Sequence, residues 1–298
     1  MRVIITGGNG FIGSELVRKF YKNGDKVISI IRNKNEDISK IEKYSQIIFC
    51  EIENLDEIFE KLKIEEETIF YHLAWAGVNG IDKANYNIQI LNIQMACNAA
   101  VFAKKLGVKR FLVAGTVAEN AIYSYSNLDK LSGGLMYSTA KASTHLFIEN
   151  LCKNIGLSFV WLQFSNIYGP SNKTGNLVSY TLKQLTQNKK ATFGPANQPY
   201  DFILVDDLIE AVYRFGLINE LKSTQYFIGS GNSRLLCEYL TIIGRIFGKE
   251  ELIDIGIRKD DGIKYEKDMF STVKTVGEIG DYISKSFEEG IKYTIENY

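Results

Sequence analysis

The amino-acid sequence predicts an α/β fold, in which a doubly wound parallel sheet is followed by a smaller C-terminal α/β domain. Three observations lead to this prediction. Strand-like and helix-like segments alternate through the first half of the chain, the strand-like segments are apolar over their whole length, and a glycine-rich turn follows the first of them. Strands that are apolar throughout are buried on both faces, and helices between such strands produce a parallel sheet covered on both sides.

The elements of the first half follow from these patterns. Six segments are predicted to be strands of the sheet, at residues 2–6, 26–31, 47–50, 68–73, 110–114 and 159–164. Helices are predicted between them, at residues 12–22, 56–63, 86–105 and 136–154. The first of the two long helices ends at Gly107, which can take the left-handed conformation of a helix cap, and the second ends at Gly156.

The second half is less regular and predicts the smaller domain. Helices are expected at residues 177–188, 207–215 and 235–247 and at the C-terminus, with a strand at 201–205. We assign residues 1–165 to the first domain, with 200–221 returning to its sheet. Residues 166–199 and 222–298 then form the smaller domain. Tight packing of the two domains is expected to leave a cleft at the carboxyl ends of the strands, where such sheets bind ligands.

The composition excludes several classes of function. The 298 residues include 35 basic and 35 acidic side chains, a balance that disfavours a nucleic-acid-binding surface. No apolar run approaches the roughly 18 residues of a membrane span, and the N-terminus has no signal-peptide pattern, so a cytoplasmic protein without a membrane partner is expected. Widely spaced cysteines and only two histidines predict reduced thiols and no metal site: Cys50, Cys97, Cys152, Cys237, His72 and His145.

The glycine-rich turn predicts a dinucleotide site. Residues 6–13 read TGGNGFIG, with Gly7, Gly10 and Gly13 spaced as GxxGxxG between the first strand and the first helix. Glycines there allow a sharp turn and a close approach of the backbone to a pyrophosphate. The helix N-terminus offers free N–H groups and a partial positive charge to the phosphates. This arrangement is typical of a Rossmann-type dinucleotide-binding domain.

The end of the second strand indicates which dinucleotide is bound. NAD sites usually carry an acidic residue there to hold the ribose 2′-hydroxyl. Here the strand is followed by Arg32, whose guanidinium matches a 2′-phosphate in charge and geometry. The pattern favours NADP(H) over NAD(H), although a solvated basic loop would give the same sequence.

A tyrosine and a lysine one helical turn apart predict proton transfer. Tyr137 and Lys141 form a YxxxK motif within a predicted helix and therefore share one face. An ammonium group near the phenol is expected to lower its pKa from about 10 and to suit Tyr137 to general acid–base catalysis. Thr116 follows a predicted strand at the carboxyl edge of the sheet, where its hydroxyl could bond the reacting oxygen.

The ordered motifs resemble one family from about residue 3 to 235. Residues 6–13 are similar to its TGxxGxxG turn, 70–74 to its HLAA segment, 166–170 to its NxYGP segment and 201–207 to its RDFxxVxD segment. Thr116, Tyr137 and Lys141 look like its Ser/Thr–Tyr–Lys triad. On these residues the chain is identified as a member of the extended short-chain dehydrogenases/reductases, the NAD-dependent epimerase/dehydratase family.

The resemblance implies a set of binding residues and a pairing of two subunits. The implied cofactor contacts are Gly7, Gly10, Phe11, Ile12, Gly13, Arg32, Glu51, Ile52, Leu73, Ala74, Trp75, Asn92, Tyr137, Lys141, Phe164, Asn166 and Ile167. The implied substrate contacts are Trp75, Thr116, Tyr137, Asn166 and Tyr200. A core position is the alternative for Trp75. Members often form homodimers by packing their two long helices into a four-helix bundle.

Within the family, the resemblance favours a nucleotide-sugar 4-ketoreductase, close to the CDP-abequose synthase type. Dehydratases carry an Asp-Glu pair after the catalytic Thr, whereas this chain has Val117 and Ala118, with Glu119 one place further on. The implied reaction is NADPH-dependent reduction of a 4-keto group on a nucleotide-activated 6-deoxy or dideoxy hexose. The alternatives are an NAD-dependent 4-epimerase and a protein that binds NADP(H) without turnover, as a sensor or an assembly subunit.

One departure from the family concerns the nucleotide diphosphate of the substrate. Tyr200 stands where many members have an arginine that holds this group. Arg234, Arg258 and Lys173 are the candidates to neutralise the phosphates in its place.

Overall fold

The computed structural model describes residues 1–62, 67–123, 135–170, 172, 175–259 and 265–297. The strands are β1 (Arg2–Thr6), β2 (Lys26–Ile31), β3 (Gln46–Phe49), β4 (Thr68–His72), β5 (Arg110–Thr116), β6 (Phe159–Phe164), β7 (Asn166–Tyr168), β8 (Ala191–Thr192), β9 (Pro199–Tyr200), β10 (Phe202–Leu204), β11 (Gln225–Ile228), β12 (Arg234–Leu235) and β13 (Ile253–Asp254). The helices are α1 (Phe11–Lys22), α2 (Tyr86–Leu106), α3 (Asn120–Tyr123), α4 (Met136–Ile155), α5 (Leu177–Thr186), α6 (Val205–Leu217), α7 (Leu236–Phe247), α8 (Val273–Ile279) and α9 (Phe287–Glu296).

Seven strands form one parallel sheet in the order β11-β6-β5-β4-β1-β2-β3. All residues of β1, β4 and β6 are buried, as expected for strands covered on both faces. The chain reverses direction across the sheet between β1 and β4, so this is the doubly wound arrangement that the sequence predicts.

Alternate residues of each strand supply two cores. On one face, Val3 and Ile5 pack with Phe20 of α1 and Val212 of α6. On the other face, Ile4 belongs to a second buried cluster with residues of β4, β5, α2 and α4. Burying each large apolar side chain contributes roughly 1.5–3 kcal/mol to folding. The apolar side chains on each face of the sheet therefore favour packing of helices against both faces.

The long helices begin and end as local signals indicate. The Asn85 side chain accepts hydrogen bonds from the N–H groups of Asn87 and Ile88 and so caps α2. Gly107 ends α2 with φ of 72°, and Gly156 ends α4 with φ of 64°. Both glycines take the left-handed conformation that other residues adopt only at a cost.

Two expectations about elements differ from the structure. The helix predicted at 56–63 is replaced by two 3-10 turns, Ile52–Ile58 and Glu60–Leu62, and Lys63 lies outside the described residues. These turns still bury Leu55, Ile58 and Leu62, so the spacing of the apolar residues is compatible with a 3-10 helix as well as with an α-helix.

The seventh strand of the sheet comes from a later segment than expected. Residues 200–221 were expected to return to the sheet, but their strand β10 pairs with β7 in a separate two-stranded sheet, and only α6 packs on the main sheet, beside α1. The strand that joins the sheet edge is β11, within the range assigned to the smaller domain. A third core cluster, around Tyr168, Phe202 and Phe287, joins α5, α7 and α9. The division into two domains stays a prediction.

The carboxyl ends of the parallel strands meet at one edge. Gly7, Leu73 and Thr116 lie at the ends of β1, β4 and β5 there. In sheets of this type, ligands bind along that edge where the strand order reverses.

Candidate active site

The glycine turn is closed by contacts that leave no room for side chains. Gly7 has φ of 72°, and a Cβ placed on it would lie 2.7 Å from the backbone nitrogen of Ala74. A Cβ on Gly13 would lie 2.1 Å from the carbonyl oxygen of Gly7. The N-cap of α1 is Gly10, which provides no side-chain hydrogen bond to the first turn. The helix therefore presents its N-terminal N–H groups to an anion.

A cavity of about 740 Å³ opens directly against this turn. Its lining includes the residues Gly7, Asn9, Gly10, Ile30, Ile31, Arg32, Glu36, Cys50, Glu51, Ile52, Glu53, Leu73, Ala74, Trp75, Ala76, Gly77, Leu91 and Met95. The cavity thus runs along the ends of β1, β2, β3 and β4. A cavity of about 600 Å³ at the opposite edge, beside Arg2, Lys26 and Gln46, lies at the amino ends of the strands.

Eight of the seventeen residues predicted for the cofactor line the larger cavity: Gly7, Gly10, Arg32, Glu51, Ile52, Leu73, Ala74 and Trp75. The other ten residues of the lining were not predicted: Asn9, Ile30, Ile31, Glu36, Cys50, Glu53, Ala76, Gly77, Leu91 and Met95. The only feature of the sequence that could have indicated them is their position, at or near the end of a strand or on one face of α2.

Several of the other predicted cofactor residues support the site without lining the cavity. Asn92 is buried, and its amide accepts from the backbone N–H of Ala76 and donates to the carbonyl of the same residue, both at 2.9 Å. Phe11, Ile12 and Ile167 pack against the core, and Phe164 is buried within it. Gly13 belongs to the turn itself. These residues shape the walls behind the cavity.

Arg32 is already paired at the cavity wall. The Arg32 side chain is 65% exposed, and its guanidinium donates to the carboxylate of Glu36, four residues later in the same loop. Both residues line the cavity. A negative charge, not predicted from the sequence, therefore lies beside the cation that was predicted to meet a 2′-phosphate.

Trp75 joins the cavity to the predicted catalytic residues. Its indole N–H donates to the Gln89 side chain at 3.0 Å, and its ring lies 6.1 Å from that of Tyr137, edge to face. The ammonium of Lys141 lies 3.6 Å above the Trp75 ring and donates to the carbonyl of Ala114 at 2.8 Å. Trp75 is half-buried on the cavity wall, so it is not a core residue.

Thr116 is hydrogen-bonded to Tyr137, and Tyr137 and Lys141 both contact Trp75, but the pKa of Tyr137 differs from the expectation. Burial raises the pKa of Tyr137 well above its usual value, the negative charge of Glu119 raises it further, and a hydrogen bond with the Thr116 side chain opposes the shift. Lys141 is not among the causes, because its ammonium faces Ala114 and Trp75. The expected lowering of the Tyr137 pKa by Lys141 is therefore not observed.

Burial also acts on the cation. It lowers the pKa of Lys141 to about 7, and Glu119 opposes this shift. His72, buried at the end of β4, has its pKa lowered to about 3 by burial first and by Lys141 second. Its Nδ1 and the Thr6 hydroxyl are hydrogen-bonded at 2.9 Å. His72 is thus a neutral core residue.

The predicted substrate residues Asn166 and Tyr200 contact each other. The Tyr200 hydroxyl donates to the Asn166 side-chain oxygen at 3.0 Å, and the Asn166 amide donates to the carbonyl of Asp201 at 3.1 Å. The Tyr200 ring packs 5.9 Å from that of Tyr265, which also raises the pKa of Tyr137 slightly. These aromatic residues therefore approach the Tyr137 phenol from the C-terminal half of the chain.

The candidates for the substrate phosphates differ in their partners. Arg234 forms an ion pair with Glu288 at 2.7 Å. Arg258 donates to the hydroxyls of Thr192 at 2.9 Å and Tyr180 at 2.7 Å, and within the described residues it has no carboxylate partner. Lys173 lies outside the described residues.

Other kinds of site find no support in the part of the chain that the structure describes. It contains no group of three or more His, Cys, Asp or Glu side chains able to hold a metal ion. All four cysteines are free thiols. None of its helices combines the length and apolar character required to cross a bilayer.

Comparisons with known proteins agree with this geometry. A sequence profile of the NAD dependent epimerase/dehydratase family matches residues 3–229. CDP-abequose synthase from Salmonella typhimurium is 24% identical over 92% of this chain and 92% of that protein. ADP-L-glycero-D-manno-heptose-6-epimerase from Fusobacterium nucleatum is 26% identical over 99% of this chain and 97% of that protein. The crystal structure of UDP-glucose 4-epimerase from Thermotoga maritima has a TM-score of 0.81 at 22% identity, covering 100% of this chain and 98% of that chain. At this identity the structural similarity bears on the fold, and it confirms the predicted α/β class.

Proposed function

The chain belongs to the NAD dependent epimerase/dehydratase family, and on that premise we propose that it reduces the 4-keto group of a nucleotide-activated hexose with NADPH. The observation that carries the proposal is that Tyr137 and Lys141 both contact Trp75, on the wall of a cavity that starts at the glycine turn, and that Thr116 is hydrogen-bonded to Tyr137. The similarity to an enzyme named CDP-abequose synthase supports a nucleotide-sugar substrate.

The residues of the cavity fit a nicotinamide dinucleotide. The glycine turn and the N-terminus of α1 would hold the pyrophosphate, and Glu51 and Ile52 would flank the adenine end. When bound, the dinucleotide supplies the hydride. The nicotinamide end would then lie near Trp75, where the cavity adjoins Tyr137 and Lys141.

The chain's own residues supply the proton. The raised pKa of Tyr137 keeps the phenol protonated at neutral pH, as a donor to a developing alkoxide requires. Thr116, hydrogen-bonded to the same phenol, would share the contact with the alkoxide oxygen. Lys141 stands one helical turn from the phenol and would hold the ribose next to the nicotinamide. A neutral, partly buried tyrosine suits the reductive direction.

The dehydratase reaction lacks its acids in this site. Val117 is buried, Ala118 has no ionisable group, and Glu119 is fully buried. The Glu119 carboxylate accepts hydrogen bonds from the backbone N–H of Thr116 and from the Trp161 indole, so it is held within the protein. This arrangement favours a reaction that needs a single proton donor.

A turnover assay tests the proposal. The purified protein is mixed with NADPH and a panel of 4-keto-6-deoxy sugars carrying CDP, dTDP, UDP or GDP, and the loss of absorbance at the reduced-nicotinamide band is followed. Stoichiometric oxidation of NADPH with at least one of them is the expected result. Absence of oxidation with every compound would contradict the proposed reaction.

An NAD-dependent epimerase is the second candidate. The Fusobacterium nucleatum relative is named an epimerase, and Glu36 occupies part of the surface that a 2′-phosphate would need. An epimerase retains its cofactor through a reversible cycle. Protein that purifies with one equivalent of tightly held NAD, and interconverts sugar nucleotides without net oxidation of NADPH, would favour this candidate.

Substitutions at Arg32 and Glu36 test the choice of NADPH. Arg32→Ala is expected to raise KM for NADPH about 10- to 100-fold, because a hydrogen bond to a charged group contributes roughly 1.5–3 kcal/mol. KM for NADH should stay the same. Glu36→Gln should lower KM for NADPH, since it removes the carboxylate that competes for the guanidinium. Steady-state kinetics with both cofactors measure these changes.

Glu53→Gln provides the matched control, because Glu53 lines the same cavity and forms no ion pair with Arg32. Its KM for NADPH should match that of the unmodified protein. Equal losses for NADPH and NADH in Arg32→Ala would speak against a contact with the 2′-phosphate.

For the substrate diphosphate, we propose Arg258. Its guanidinium lies 4.9 Å above the ring of Tyr180 and is bonded to neutral hydroxyls, so its charge is available to phosphate oxygens. Arg234 is already neutralised by Glu288. Tyr200 would then contribute a hydroxyl rather than a charge.

We also propose that two copies pair through α2 and α4. The outward face of these adjacent helices exposes Ile90, Val101, Leu146 and Phe147, with Phe147 60% exposed. Neighbouring exposed apolar side chains of this kind mark association surfaces. Phe147→Asp is expected to convert a dimer into a monomer in light scattering after gel filtration.

Val273→Asp is the control for this substitution, because Val273 is 78% exposed on α8, away from α2 and α4. It should leave the molecular mass in solution unchanged. A monomeric unmodified protein at micromolar concentration would contradict the pairing.

A further inference from the structure

Glu119 is a fully buried carboxylate that the proposed reaction does not use. It ends the 3-10 turn Val117–Glu119 directly after β5 and is 0% exposed. Its Oε1 accepts from the backbone N–H of Thr116 at 2.6 Å, and its Oε2 accepts from the indole N–H of Trp161 at 3.0 Å. The Thr116 hydroxyl in turn accepts from the N–H of Ala118, which completes a capping box around the turn.

The second oxygen of this carboxylate meets a histidine. His145 Nδ1 lies 3.6 Å from Glu119 Oε2 and has no hydrogen-bond partner among the described residues. The imidazole stacks on Trp161, with ring centres 4.6 Å apart and planes 3° from parallel. Gly115 makes room for this packing, because a Cβ there would lie 2.2 Å from the indole nitrogen of Trp161.

Burial of an ionised carboxylate is unfavourable in free energy unless other groups stabilise the charge. Desolvation of an ion costs several kcal/mol unless hydrogen bonds and an opposite charge offset it. Two N–H donors hold Glu119, and the cation whose charge it acts on is Lys141, which is itself buried. The negative charge of Glu119 therefore favours the protonated form of Lys141.

We propose that Glu119 is a positioning residue of the reaction proposed above, which anchors the turn carrying Thr116 and supplies the counter-charge for Lys141. Through the turn, it sets the reach of the Thr116 hydroxyl towards the Tyr137 phenol. Through its charge, it keeps the Lys141 ammonium protonated in a site that would otherwise release the proton. Both effects act on groups that meet the substrate or cofactor, while Glu119 itself stays inside the protein.

The titratable groups around the carboxylate are few. Tyr137, Lys141 and His145 face it from α4, and Tyr123 faces it from α3. Lys141 also acts on His72 at the end of β4. A change in the Lys141 pKa after substitution of Glu119 alone can therefore be attributed to Glu119.

The first test needs no substrate. The protein is labelled with lysine carrying ¹³C at Cε, the Lys141 signal is assigned with Lys141→Arg, and its shift is followed against pH by NMR. Glu119→Gln is expected to lower the midpoint by about one unit, since it removes a neighbouring opposite charge. Glu149→Gln, an exposed change on α4, should leave the midpoint in place.

The second test uses turnover. Reduction needs Lys141 protonated, so activity is lost as the pH rises through the Lys141 pKa of about 7. Lowering this pKa in Glu119→Gln should move the alkaline limb of the kcat/KM profile to lower pH by the same amount as the NMR midpoint. A merely structural loss would reduce kcat/KM equally at every pH.

Glu119→Asp separates the two roles, because it keeps the charge and withdraws the carboxylate by one methylene. It should retain the Lys141 midpoint to a large extent and lower kcat at least about tenfold by loosening the Thr116 turn. If Glu119→Gln fails to fold, as judged by circular dichroism, the Glu119→Asp kinetics decide. An unchanged Lys141 midpoint in folded Glu119→Gln, or unchanged kcat in Glu119→Asp, would overturn the proposal. A protein that oxidises NADPH with none of the sugar nucleotides would instead overturn the proposed function, and the NMR midpoint would still report on Glu119.

Discussion

Tyr137→Phe is expected to lower kcat by about 10²–10⁴-fold, because a positioned proton donor contributes that factor to many enzymatic reactions. The loss corresponds to about 3–5 kcal/mol in activation free energy. KM for NADPH should change little, since the aromatic ring and its edge-to-face contact with Trp75 remain. Steady-state kinetics with the sugar nucleotide found active in the panel, at saturating NADPH, measure the effect.

The neighbouring Tyr123 supplies the matched control. It lies on α3, its side chain is 51% exposed, and its hydroxyl donates to the carbonyl of Ala142 at 3.4 Å. Tyr123→Phe removes one phenolic oxygen, as Tyr137→Phe does. Because Tyr123 lies at the surface, where substitutions usually have small effects, kcat should stay within a factor of about two of the unmodified value. Near-unmodified turnover by Tyr137→Phe would remove that residue from the chemistry.

Gly13→Ala is the second change with a large expected effect. The added methyl group would lie 2.1 Å from the Gly7 carbonyl oxygen and 2.8 Å from the Gly8 Cα, both of which belong to the backbone. Overpacking of this kind costs roughly 1–3 kcal/mol, and here the strain falls on the turn that would meet the pyrophosphate. The dinucleotide Kd should rise at least about tenfold, with a lower Tm.

The measurement is titration of NADPH by its fluorescence, together with a thermal melt of each variant. Gly277→Ala is the control, since a Cβ on Gly277 in α8 has no atom within 4 Å. That variant should bind NADPH normally and melt no lower than the unmodified protein, because alanine favours a helix over glycine. Unchanged affinity in Gly13→Ala would show that the turn does not hold the dinucleotide.

The agreement between sequence and structure is greatest where the signal is local. The first six strands of the sheet lie where uninterrupted apolar runs predict them, and α2 and α4 end at Gly107 and Gly156. Tyr137 and Lys141 share a helix face because four residues make about one turn. The sheet edge at which Thr116 meets them follows from the parallel arrangement.

Sequence and structure disagree most where a feature depends on contacts between residues that are far apart in the chain. The seventh strand, β11, has only four residues. Its sequence does not distinguish it from neighbouring segments as the partner of β6. The ion pair between Arg32 and Glu36 depends on how the loop after β2 folds back along the cavity. The Lys141 ammonium turns towards Ala114 and Trp75, which lie on β5 and after β4.

The first six strands, the glycine turn and the shared helix face of Tyr137 and Lys141 could thus be predicted from the sequence, because steric limits and periodicity act within one or two turns of backbone. The protonation of Tyr137 and Lys141 follows instead from how the folded chain packs around them. Burial raises the pKa of Tyr137, lowers that of Lys141 and removes the Glu119 carboxylate from solvent. Desolvation depends on every neighbour that displaces water, and those neighbours come from strands and helices far apart in the chain.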